Sequence, residues 1–172
     1  MDGNTDSPDR QALFDEVLLY VLDRTTGRLD IGQKVVLKLF ELIDKDWDSA
    51  HGEKILCPGQ RSRCFGHLSN LFTDTVRRLL ADGVIKREHR LVGTTLTERL
   101  LPLRKPNLAL VPAEVLAVVD GVLKRIEGMY AVEILGREPP GSHLPPEPRN
   151  PLLYGTAVRR ETYRIRRHPD QK

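Results

Sequence analysis

The chain has 172 residues, 40% hydrophobic and 30% charged, with a net charge of +3. That is enough for one domain with its own core and too short for two ordinary ones. No apolar stretch approaches the roughly 20 residues of a spanning helix, and the start MDGNTDSPDR lacks the pattern of a secretory signal, so a cytoplasmic protein without membrane contact is expected.

Two cysteines, Cys57 and Cys64, are too few for a disulfide framework. Aromatic residues make up only 5%, so the core must be mostly Leu, Val and Ile. Residues 1–50 hold eleven acids against six bases, whereas Arg159, Arg160, Arg164, Arg166 and Arg167 crowd the C-terminus. A pI of about 9.0 permits nucleic-acid contact without requiring it.

Residues 1–9 are polar and predict a disordered N-terminus. The first helix is predicted over 10–24, where Leu13, Val17, Tyr20 and Val21 recur at helical spacing. A short turn at 25–28 suggests an antiparallel second helix. That helix is predicted over 29–47, with Val35, Val36, Leu39, Phe40, Leu42 and Ile43 as its apolar face, ending around Asp44, Asp46 and Asp48. Residues 48–62 carry Gly52, Pro58 and Gly59 and read as a loop.

The third helix is predicted over 66–81, with Gly83 as its stop. Two strand-like pieces follow, 84–87 and 91–96, with the turn expected at Glu88, His89 and Arg90. A helix followed by a small hairpin is the shape of a winged-helix tail. Residues 98–111 are expected to be a connector. The fourth helix is predicted over 112–126, with Pro112 in its first turn, and Gly128 separates off a short helix over 129–135. Residues 136–151 are Pro-rich and read as an extended C-terminal wrap, and a last element is expected over 152–167. The fold class is therefore mainly α with a small β-hairpin: a compact helical domain over 10–158 and a basic tail over 159–172.

The order of these segments resembles the Panacea domain, a family of phage- and toxin–antitoxin-associated proteins. The resemblance covers residues 10–158. It is carried by Leu37-Lys38-Leu39-Phe40-Glu41-Leu42-Ile43-Asp44, by Phe65-Gly66-His67 in place of a Tyr-Gly-Pro motif, by Leu80-Ala81-Asp82-Gly83-Val84-Ile85, and by the helices at 110–126 and 130–135. It implies an antitoxin that neutralises a toxin by direct binding, and some family members resemble adaptors that deliver a toxin to a protease.

No enzyme signature is present. Gly-x-Ser-x-Gly, His-Glu-x-x-His and phosphate-loop patterns are absent from the sequence, so neither catalytic residues nor a cofactor is expected. His51, Cys57, Cys64 and His67 are zinc-ligand types but lack a Cys-x₂-Cys knuckle, which favours a plain structural reading. Asp44, Asp46 and Asp48 lack the glycine and glutamate spacing of a calcium loop and read better as an acidic protein-binding edge. Trp47 beside them is a candidate interface anchor. Trp47, Asp44, Asp46, Asp48, Phe65 and His67 are thus the expected partner-binding residues, with a protein toxin as partner. The competing expectation is a winged-helix DNA-binding regulator reading bases through Ser69, Asn70, Thr73 and Thr75, with Arg77, Arg78, Lys86, Arg87, Arg90 and the arginines from Arg159 to Arg167 along the backbone.

Overall fold

A computed structural model describes residues 8–56 and 64–136. The predicted Pro-rich wrap, the element at 152–167, the basic tail, Cys57 and most of the predicted N-terminal disorder lie outside these residues. The described chain is mainly helical with one two-stranded antiparallel hairpin, as expected. None of its helices is long and apolar enough to cross a membrane.

Helix α1 spans Pro8–Thr25. Val17, Leu18 and Leu19 are consecutive and each 0% exposed, so the middle of α1 is buried on every side. Its last turn is closed by side chains: the Thr25 and Thr26 hydroxyls donate to Val21 O at 2.8 Å and Leu22 O at 2.7 Å.

Helix α2 spans Gln33–His51 and runs past the predicted end at Asp44 to Asp48. The aspartates do not stop it, because Asp44 turns inward, 3% exposed, where its Oδ1 accepts the Leu56 N–H at 2.8 Å. The stop is Gly52, whose φ of 74° is left-handed and whose N–H donates to Asp48 O at 2.8 Å.

Helix α3 spans Cys64–Ala81. It ends in a Schellman motif, with Gly83 N–H donating to Leu80 O at 3.2 Å and Val84 N–H to Leu79 O at 2.9 Å. Three buried rings join the helices: Phe14 lies 4.9 Å from Phe40, and Phe40 meets Phe72 edge-on at 5.7 Å. With few aromatics in the chain, one ring from each helix marks the centre of the core.

Strands β1, Ile85–Val92, and β2, Thr95–Pro102, form a longer ribbon than the sequence suggested. The turn lies at Gly93-Thr94 and not at Glu88, His89 and Arg90, and residues 98–102 are strand and not connector. Gly93 supplies the positive φ that a two-residue hairpin turn needs. Glu88 sits inside β1 because it is paired directly with Arg99 across the ladder. A short 3-10 turn at Leu108–Leu110 leads to helix α4, Ala113–Arg125, which buries Val115, Val119 and Val122. Gly128, φ 78°, then turns the chain into the short helix α5, Ala131–Gly136.

Two part-buried polar clusters lock the loops. Glu16 accepts both Arg104 guanidinium nitrogens, at 2.6 and 3.0 Å, and the Asn107 N–H at 2.6 Å. Arg28 grips Asp30 at 2.8 Å and donates to the carbonyls of Ile126 and Met129, while Asp30 also accepts the Ala131 N–H at 3.0 Å. Burial pushes both carboxyls up, but the arginine hydrogen bonds and charges and the backbone N–H groups outweigh it, leaving each pKa below its ordinary value.

A carboxyl depressed in the folded state stabilises the fold above its unfolded pKa and stops doing so as pH falls through its folded pKa. The thermal midpoint is therefore expected to fall as pH drops below about 4, the ordinary carboxylate value. Glu16→Gln should show a flatter acid limb in the same titration. Parallel limbs for the two proteins would contradict the assignment.

Candidate partner-binding groove

The α1–α2 turn delivers Asp30 and Gly32 to one side of the hairpin. Gly32 is where the backbones close up: a Cβ there would stand 2.8 Å from Thr97 Cγ2 and 3.0 Å from Glu98 O. Only glycine lets the start of α2 lie against β2. Gly32→Ala is expected to cost about 1–3 kcal/mol by overpacking, since a strand carbonyl cannot rotate aside. In chemical denaturation, adding Thr97→Ser should recover only part of that loss. A neutral Gly32→Ala would refute the close approach.

Beyond this contact the structures diverge and leave a groove of about 480 Å³. Its floor is apolar, built from Val35 and Leu37 of α2 and Phe72 of α3. One wall is the β2 segment 95–98, and the other is Ala131 and Leu135 of α5. Leu96 is 66% exposed on the rim, its cross-strand neighbour Leu91 is 67% exposed, and Leu135 and Val132 are exposed on the α5 side. Large side chains left in water around an apolar hollow mark a contact surface far better than single scattered leucines do.

The charges of the groove are mostly compensated. Asp30 is held by Arg28, and Glu98 lies 2.9 Å from Arg87 and 3.6 Å from His89. Lys34, exposed on the α2 side, has no partner among the described residues.

The residues singled out from sequence do not gather here. Asp44, Asp46 and Asp48 form no acidic edge: Asp44 is buried, and Asp46 is taken up by Arg125 at 2.6 Å. Consecutive even positions on a helix point about 200° apart, so extension of α2 through this stretch splits them. Trp47 is half-buried against the core and stacks on His51 with ring centres 3.8 Å apart. It lies about 15 Å along α2 from Leu37 and the groove, at 1.5 Å per residue. His67 is exposed in the first turn of α3 and does not line the groove, and the Phe65 side chain lies outside the described residues.

Of the residue types that suggested zinc, His51 has its Nδ1 3.2 Å from Trp47 O and its Nε2 3.9 Å from Glu114. Among the described residues no three His, Cys, Asp or Glu side chains come together as a metal site.

Comparison of the chain with family models, with curated proteins and with solved structures gives no match.

The face expected for nucleic acid is largely neutralised from within. Arg77 pairs with Asp74 at 3.0 Å and Arg78 with Asp15 at 2.5 Å. On the hairpin, Arg87 pairs with Glu98, and Arg99, 3% exposed, lies 3.5 Å from Glu88 and donates to Thr26 O at 2.7 Å. Thr75 is buried and accepts from Gln11 at 3.1 Å, which removes it from any base-reading row. Lys86 and Arg90 stay exposed without a partner among the described residues.

Proposed function

We propose that this chain is a non-enzymatic protein-binding module of the antitoxin kind, which neutralises a protein toxin by occluding it. The observation that carries the reading is the apolar groove with exposed Leu96 and Leu135 on its lining. Such a surface stays soluble alone and gains affinity when a partner covers it, with a few buried anchors supplying most of the energy. Likeness of segment order to the Panacea domain gives the partner class, a toxin. Co-expression with a small toxic reading frame from the same operon tests it: growth should be restored by the chain. Continued arrest, with both proteins present and unassociated, would refute it.

A second reading, a DNA-binding regulator, is favoured by one feature: α3 leads directly into a hairpin that carries exposed Lys86 and Arg90. The phosphate contacts of such a surface would weaken steeply with salt. Gel shifts with the chain's own upstream DNA over a range of salt concentrations separate the two. A specific shift abolished by Lys86→Ala with Arg90→Ala would favour DNA.

A further inference from the structure

The groove offers an occupant apolar side chains but no open strand edge. Antiparallel strands alternate hydrogen-bonded and non-hydrogen-bonded residue pairs. Leu103 N–H donates to Val84 O at 2.9 Å, which sets the phase of the ladder, and Glu98 turns its N–H and C=O away from β1. Buried Gly32 already covers that edge, since a Cβ there would stand 3.0 Å from Glu98 O. A segment lying over Val35, Leu37 and Phe72 thus finds no run of strand to pair with. It must satisfy its own N–H and C=O groups.

The charge left on the groove is positive. Asp30 is held by Arg28, and Glu98 by Arg87 with His89 beside it. Lys34 lines the groove, and Arg90 stands directly across the ladder from Thr97, which lines it too. Both bases are exposed and neither has a partner among the described residues. Gly32, Gln33 and Lys34 also open α2, whose first turn has no side-chain cap and no acid, so the positive end of its dipole lies on the same lining.

We infer that the groove takes an acidic amphipathic helix of the partner protein. This rests on the reading of the groove as a protein-binding site and names what enters it. A helix makes its backbone hydrogen bonds internally, so it can lie on an apolar floor. An extended segment would bury N–H and C=O groups without partners, losing about tenfold in affinity for each. Apolar side chains three and four residues apart on the helix meet Val35, Leu37 and Phe72, and Leu96 and Leu135 cover its flanks. Asp or Glu beside that stripe meets Lys34, Arg90 and the uncapped start of α2.

A random peptide display library panned against the full chain, followed by anisotropy titration of the selected peptides made synthetically, tests this. Selected peptides should carry apolar residues three and four apart with acids beside them, and should gain helical circular dichroism on binding. A proline placed in the middle of such a peptide should weaken binding about a hundredfold. Lys34→Glu with Arg90→Glu should weaken it about tenfold or more, and exchanging the peptide's acids for lysine should restore it on that variant. Both bases are exposed, so the variant keeps the fold, and the proline series needs no variant of the chain at all. Peptides with alternating apolar residues that gain no helix, or a selection that yields no binder, would overturn the helix. Binding unchanged by the double charge reversal would overturn its acidic character. Self-association of the chain, seen by sedimentation and lost when Leu96→Asp is combined with Leu135→Asp, would put a second copy in the groove and overturn the inference. Helical peptides indifferent to that same leucine pair would bring down the groove reading itself.

Discussion

Phe40→Ala is expected to lose about 3–5 kcal/mol of folding stability, the range for deleting a buried ring and leaving a cavity. Phe40 is fully buried and is the ring that touches both others, Phe14 at 4.9 Å and Phe72 at 5.7 Å. Its removal breaks two aromatic contacts, each worth about 0.5–1.5 kcal/mol beyond area burial. α1, α2 and α3 lose their common contact together. Since a domain this size holds only about 5–15 kcal/mol in total, the variant should be near its unfolding threshold at growth temperature. Urea denaturation reads this directly, with Phe40→Leu, which keeps most of the volume, as the milder comparison, at about 1.5 kcal/mol or less. A loss below about 1 kcal/mol for Phe40→Ala would mean that the three rings are not the centre of the core.

Leu96→Asp combined with Leu135→Asp is expected to reduce partner affinity by about a hundredfold or more, the effect of removing hot-spot anchors and burying charge in their place. Both side chains are already in water in the free protein, so the thermal midpoint should stay within a degree or two of wild type. That separation of binding from stability is the signature of a contact surface. A large drop in the midpoint would mean that these leucines serve the fold.

The helices were legible because each buries a stripe at helical spacing. Val35, Val36, Leu39 and Phe40 announce α2, and Val115, Val119 and Val122 announce α4. Gly83 was readable as a stop because α3 ends in a left-handed residue there. The end of α2 was not readable, since three aspartates near a helix end look like a terminus. What keeps the helix going is Asp44 capturing Leu56 N–H, a contact that exists only after folding. The hairpin turn had its signal, Gly93, but charged Glu88 and Arg90 drew the turn to themselves. Their neighbours settled it, because Glu88 is balanced by Arg99 across the ladder.

The groove had no local signal at all. Val35, Phe72, Leu96 and Leu135 come from four segments, and each reads in its own segment as an ordinary apolar residue. Residues chosen for chemical prominence, Trp47 and the aspartates, were instead absorbed by packing and ion pairs. A paired carboxylate and a paired arginine cancel, so prominence in sequence says little about which charges remain free.

The central claim, that this surface exists to hold a protein, is tested most directly by calorimetric titration of the full chain against a toxin whose growth arrest it relieves on co-expression. Wild type should bind tightly with a negative heat-capacity change from burial of the apolar groove, and the Leu96→Asp, Leu135→Asp double variant should bind about a hundredfold more weakly or not at all. Equal affinity for the two proteins would contradict the account.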